Sequence, residues 1–408
     1  MEKLSSNEVI IDGWVYDLEK FANVHPGGAS VLNVFGGNDV SIHYYMLHNH
    51  QILREKALEP FKLRKAKPTQ TPFLLNTPAY KDLKARVKKA IPYPYATFEW
   101  YFKAFGILAI SLYFEYSNLR NGFTFLNSSA LGISMAMIGL CIQHDANHGA
   151  ISPIGWVNRA WGYTQDWIGG SSLLWNHHHV LMHHAETNVL DNDPDVTTEI
   201  IRLHKSTTMY GYHRFQGMYT WFLLPLLPIS WHFKEIYDLV AMSHCKKKIS
   251  NMAYNDAKIA LIFRTFFILR FYAIPLYYYP SFHTLACITN SLLIGGAYLG
   301  INFIISHNFE GVNPILTIYN QDKKDWARVQ VESSSTVGGR TLGYFHGGLN
   351  YQIEHHLFPR ISHVHYHKLQ KIVMDWCNDY DIHYTYFDTI FENLISCYNH
   401  INRMGVEI

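Results

Sequence analysis

The chain has 408 residues, and 34 Lys plus Arg against 32 Asp plus Glu leave a formal charge of +2. This near-neutrality excludes a nucleic-acid binder that relies on a bulk basic field. Only 16% of residues are charged and 15% are aromatic, against about 25% charged in a soluble domain, which disfavours both a disordered chain and an ordinary soluble enzyme. The 25 histidines cluster, so the metal question comes first. The five cysteines, Cys141, Cys245, Cys287, Cys377 and Cys397, are odd in number and form no Cys-x-x-Cys. That pattern argues against a disulfide scaffold and fits a reducing compartment.

Residues 1–60 read as a small soluble domain. Val9-Ile10-Ile11 and Trp14-Val15-Tyr16 are β-rich, with Asp12-Gly13 between them as a turn signal. His25-Pro26-Gly27-Gly28 and Gly36-Gly37-Asn38-Asp39 break the chain into short pieces. The N-terminus lacks the layout of a signal peptide and is expected to stay in the cytosol. Residues 54–89 carry eleven Lys/Arg and three acids. This stretch reads as a solvated tether or, by the positive-inside rule, as a marker of the cytoplasmic side.

Four segments are candidates to span a bilayer: about 98–118, Asn121–Gln143, about 259–280 and about 282–306. The first is the weakest. The third contains Arg264 and Arg270, which are expected to snorkel or to face the bundle. Trp161–Trp175 is too short to cross, and Gln216–Phe233 carries Pro225 and Pro228. Both are expected to lie in the interface or dip into it.

Histidines recur in three groups and one isolated position. His144 and His148, directly after the second apolar segment, are spaced i, i+4 and share an α-helical face. Asn176–His184 holds His177, His178, His179, His183 and His184, with His179 and His183 again at i, i+4 and His184 about 100° away. His307 ends the fourth apolar segment. Gln352-Ile353-Glu354-His355-His356 follows His346-Gly347-Gly348, with an amide where the other groups carry an imidazole. Each group has a bland alternative: incidental spacing, a pH-sensitive surface patch, or a helix-end histidine. Four spans put all the groups on one membrane face. Were Gln216–Phe233 also to cross, the first and last would be on opposite faces. One zinc with an open position needs only three histidines. Eight or nine candidates suit two redox irons with room for dioxygen.

On these residues the chain resembles the membrane fatty acid desaturases. His144–His148, His179–His184 and Gln352–His356 look like their three histidine boxes. Gly348-Leu349-Asn350-Tyr351-Gln352-Ile353-Glu354-His355-His356-Leu357-Phe358-Pro359 resembles the third box of front-end members, in which Gln replaces the first His. The N-terminus looks like a fused cytochrome b5 domain, with His25 in the haem motif and His48 as second axial ligand; His43 and His50 are rival positions. A haem with two histidine ligands suits electron transfer.

The resemblance implies an α+β cytochrome b5-like domain fused to an all-α membrane domain with four transmembrane helices and a cytosolic histidine-rich cap. The implied domains are residues 7–65 (haem binding), 66–95 (basic linker), 96–395 (desaturase) and 396–408 (tail). It further implies haem b, two non-haem irons and O2, with electrons from NADH through a separate cytochrome b5 reductase. The implied iron ligands are His144, His148, His179, His183, His184, His307, His355 and His356. Gln352 would be a weak or water-mediated ligand, and Asn302 and His346 candidate supports beside them. The substrate would be a polyunsaturated fatty acyl chain, as acyl-CoA or phospholipid, in the endoplasmic reticulum membrane. His184-Ala185-Glu186-Thr187-Asn188 and Asp191-Asn192-Asp193-Pro194-Asp195 lean toward a cis double bond at carbon 4 or 5. Two features depart from many relatives: three residues between His179 and His183-His184, and His346. Rival readings are a hydroxylase or sphingolipid-base desaturase on the same scaffold, a zinc membrane hydrolase, and a haem electron carrier without catalysis.

Overall fold

The computed structural model describes residues 3–25, 27–48, 58–67, 71–312 and 323–407. Pro26 of the His-Pro-Gly-Gly motif, the rival ligand His50, and Arg54, Glu55 and Lys56 of the basic stretch lie outside the described residues.

Strands Glu8–Ile11 and Trp14–Asp17 pair antiparallel with Ile11 opposite Trp14. Asp12-Gly13 is therefore the entire turn, and its φ angles of 49° and 75° are those of the two-residue hairpin loop that Asp-Gly favours. Lys62–Lys65 adds a third strand. Val9, Ile11, Leu18, Val34 and Phe35 form the core beneath, and Val180, Leu181 and Met182 belong to the same apolar cluster. The small domain thus shares its core with the second histidine group instead of tumbling on a tether.

The rest is mainly helical. Helix Phe98–Asn121 has 24 residues, about 36 Å. Helices Phe125–Asn147, Asn251–Tyr278 and Phe282–His307 are long and apolar enough to cross a membrane. Among the described residues these are the three that are; Phe98–Asn121, which carries Glu99, Lys103, Glu115 and Arg120, is not counted with them. Thr124 and Ser281 cap two of the helices by accepting from the backbone N–H groups of Asn127 and Thr284. Helices Phe125–Asn147 and Phe282–His307 meet at glycine: a Cβ on Gly132 would lie 2.1 Å from the Ser291 carbonyl oxygen.

Arg264 and Arg270 both face the bundle. Arg264 Nη2 sits 2.5 Å from Glu235. Arg270 Nη1 is 2.8 Å from both oxygens of Glu115, and its guanidinium lies 3.7 Å over the Trp167 ring. Residues 161–175 run through short helices, Gly155–Gly162, Thr164–Trp167 and Ser172–Trp175. Residues 216–241 are interrupted at Leu224–Leu226, where Pro225 and Pro228 withdraw backbone donors. Neither segment is a candidate span. Ile390–Val406 is a single helix with Cys397 and Ile401 buried, so the boundary expected at 395 falls inside an element.

Candidate metal centre

His144 lies in the last turn of helix Phe125–Asn147, and His148 follows it. The second group differs from its expected geometry. Asn176–His183 is wound as a π-helix, and the His184 N–H donates to the His179 carbonyl at 3.0 Å. That winding lengthens each hydrogen-bonded turn by one residue, so residues four and five apart both lie near one face. His179 meets both residues of the pair: its ring centre is 5.3 Å from that of His183, on which it stacks, and 4.6 Å from that of His184. His184 Nε2 lies 3.1 Å from His179 Nε2 and 2.9 Å from His355 Nε2. His183 is released toward His307 and His356.

Two sets of nitrogens result. Ligand atoms of His144, His148, His179 and His355 lie within 4.8 Å of one another, as do those of His183, His307 and His356. His184 stands between the sets, its ring centre 4.7 Å from that of His148 and 4.2 Å from that of His356. Gln352 Nε2 is 3.0 Å from His307 Nε2 and 3.2 Å from His356 Nε2. A flip of that amide turns Oε1, which has no partner, onto the same place. All nine side chains expected from the sequence therefore meet. His177 and His178 turn elsewhere, toward Lys248 O and Asp195. Asn302 donates to Tyr298 O and the His346 ring packs on the Tyr298 ring, so neither is seen among the imidazoles.

The chemistry of the donor set fits metal. His144 Nε2, both nitrogens of His148 and His184 Nδ1 are buried without a hydrogen-bond partner, a state that is expensive unless an ion satisfies it. Burial, and then the neighbouring imidazoles, hold His179, His184, His355 and His356 well below the usual histidine range. The rings are neutral, the form a metal requires.

Groups behind the rings fix their orientation. His183 Nδ1 is 3.1 Å from both oxygens of Asp193. His307 Nδ1 donates to Ser333 O at 2.9 Å, His356 Nδ1 to Gln330 Oε1 at 2.9 Å, and His355 Nδ1 lies 3.1 Å from the Tyr366 hydroxyl. Each contact leaves Nε2 for the centre. Sequence reading missed these supports. Asp193 had a signal, the acidic run directly after the second group; Gln330 and Tyr366 had none.

The other histidine pair lies in the small domain. His25 Nδ1 bonds to Gly28 O at 3.2 Å and His48 Nδ1 to Tyr44 O at 2.8 Å. The two rings stand 6.3 Å apart at 85°. That gap accommodates one iron with metal–nitrogen bonds of about 2 Å on either side. The rival His43 is engaged otherwise, its Nε2 3.0 Å from Leu181 O. A cavity of about 230 Å³ is lined by His25 and His48 and also by Asn147, His148 and Arg360. His148 thus borders both sites. A second cavity, of about 460 Å³, runs from Gly132, Ser291 and Leu292 between the long helices up to His179, His183 and Gln352.

Comparison with known proteins matches residues 123–388 to the fatty acid desaturase family and residues 5–67 to the cytochrome b5-like heme/steroid binding domain. An acyl-lipid (7-3)-desaturase of Rebecca salina is 37% identical over 407 residues, covering 97% of this chain and 90% of its own. Another of that name, from Diacronema lutheri, is 35% identical over 404 residues with the same coverage. Delta(5) fatty acid desaturase A of Dictyostelium discoideum is 28% identical over 419 residues, again covering 97% and 90%. With a cytochrome b5-like domain packed on its histidine centre, this chain belongs to the fatty acid desaturases, as an oxidoreductase of the front-end type.

Proposed function

We propose that His25 and His48 are the axial ligands of a b-type haem, and that two irons are held by the histidines of the three boxes. His144, His148, His179 and His355 would serve one iron, His183, His307 and His356 the other, with His184 between them and Gln352 as a weak ligand. The single observation that carries this reading is the convergence of those eight imidazoles and the Gln352 amide between two cavities. When bound, the haem supplies single electrons and the paired irons activate dioxygen for removal of two hydrogens from adjacent methylenes.

The chain's own residues do the rest. The cavity between helices Phe125–Asn147 and Phe282–His307 orients the acyl chain and excludes water, so that one methylene pair faces the centre. Asp193, Gln330 and Tyr366 hold the rings. His148, on the wall of the haem cavity, sits where electrons pass between the two sites. Electrons reach the haem from NADH through a separate cytochrome b5 reductase. Four helices, Phe98–Asn121 being the fourth, span the endoplasmic reticulum membrane and leave the haem domain and histidine cap in the cytosol. The basic residues before Phe98 support that orientation. Residues 7–65, 66–95 and 96–395 are the haem domain, linker and desaturase domain, with 396–408 as the C-terminal end. The acidic run after the second box leans to carbon 4 or 5, and the Dictyostelium discoideum relative is named a Delta(5) desaturase.

Expression in yeast fed defined polyunsaturated acids, with products located by mass spectrometry, tests the reading. A new cis double bond on the carboxyl side of those present is expected. His355→Ala should abolish it with the haem Soret band intact. A hydroxylated product would overturn the reaction, and a fully active variant would overturn the ligand.

A further inference from the structure

A separate set of metal-ligating side chains lies on the wall of the larger cavity, outside the nine residues of the paired centre. Ser243–His244 and Lys247–Lys248 form a small hairpin, with His244 opposite Lys247. Its turn is Cys245-Lys246. Both residues have positive φ, 49° and 63°, where two-residue hairpin loops ordinarily use Asn or Gly. The strained turn holds the Cys245 thiol 3.5 Å from His178 Nδ1. Ligand atoms of His178, His244 and Cys245 all lie within 4.8 Å of one another, and all three residues line the cavity.

The far nitrogen of each ring is occupied by a carboxylate. His178 Nε2 lies 2.6 Å from Asp195 Oδ1. His244 Nδ1 lies 2.8 Å from Asp238 Oδ2, which leaves Nε2 for a ligand. A carboxylate on the outer nitrogen is the usual support of a metal-bound histidine. Here it occurs on both rings beside one thiol. The sulfur–nitrogen separation also has the right size. Bonds of about 2.3 Å to sulfur and about 2.0 Å to nitrogen, meeting at a tetrahedral angle, put the two ligand atoms about 3.5 Å apart.

We propose that Cys245, His178 and His244 bind a zinc ion, with the fourth position open to water. One thiolate and two imidazoles are ligands that zinc prefers. The ion clips the hairpin to the second histidine box at the edge of the acyl cavity. It also acts on the paired centre through Asp195. That carboxylate receives His178 on Oδ1, and its Oδ2 lies 3.2 Å from His183 Nδ1. The assignment does not depend on what the paired centre holds.

The test is metal analysis of the full-length protein purified in detergent. One zinc per chain is expected in addition to iron. Cys245→Ser and, separately, His244→Ala should each lose that zinc while iron content and the Soret band stay unchanged. Cobalt exchanged into the wild-type protein should give a thiolate-to-cobalt charge-transfer band that Cys245→Ser lacks. The cobalt spectrum of the wild type keeps the test open if either variant fails to fold. Zinc retained by both variants, a cobalt spectrum without the thiolate band, or copper in place of zinc would overturn the site.

Discussion

At the scale of single residues, the third box carries a carboxylate that the metal chemistry does not use. Glu354 is fully buried between His355 and Ile353 in sequence and accepts from Tyr384 at 2.7 Å and Thr336 at 2.9 Å. Burial pushes its carboxyl from 4.5 up to about 7, against the pull of those two hydroxyls. The protonated acid is the form the fold favours. Its contribution to stability is full below pH 4.5 and declines as pH rises, until it is gone above about 7. The loss is about 3 kcal/mol. Glu354→Gln carries no charge and retains one hydroxyl on Oε1 while Nε2 donates to the other, so its thermal midpoint should vary less with pH across this window than that of the wild type. A pH slope equal to the wild type's would reject the role. Asp193 acts at the same scale by orienting His183. Asp193→Asn should lower iron affinity by about 10–100-fold, read as faster iron loss to a chelator with the haem spectrum unchanged.

Among the helices, the decisive feature is how charge is handled inside apolar elements. Arg264 is 2% exposed in the middle of helix Tyr254–Ile268, and Glu235 on the neighbouring helix neutralises it. Arg264→Met leaves the Glu235 carboxylate buried and alone, which costs about 3–5 kcal/mol. The melting temperature in detergent should fall sharply, and adding Glu235→Gln should restore much of the loss. Equal melting of the single and double variants would show that the pair is not what holds these helices. The π-helical winding of Asn176–His183 belongs to this scale too. One backbone choice sends His183 and His184 to different sides of the centre, an outcome no side chain of the segment states by itself.

For the whole molecule, the contact between the two domains decides how the sites cooperate. A Cβ on Gly155 would lie 1.9 Å from the Gly27 carbonyl oxygen, beside His25. Asn33 donates to Asp256 across the same interface at 2.7 Å, and Arg159 pairs with Asp256. Gly155→Val should push the haem domain off its seat. Normal Soret absorbance and iron content are expected, with turnover reduced at least tenfold; wild-type turnover would mean that this seat is not used. The composition, the histidine spacing and the Asp12-Gly13 turn were legible without coordinates, because each depends on residues adjacent or nearly adjacent in the chain. So were three of the four apolar spans and the nine side chains that converge, which carry their chemistry in their identity. The sorting of those imidazoles into two sets was not legible, nor was the support from Gln330 and Tyr366, nor the pairing of Arg264 with Glu235 and of Arg270 with Glu115. The same holds for the sharing of one apolar core by Val9 and Leu181. These are contacts between distant segments, fixed by close packing and by the need to pair every buried polar group, and only the folded chain meets both conditions at once.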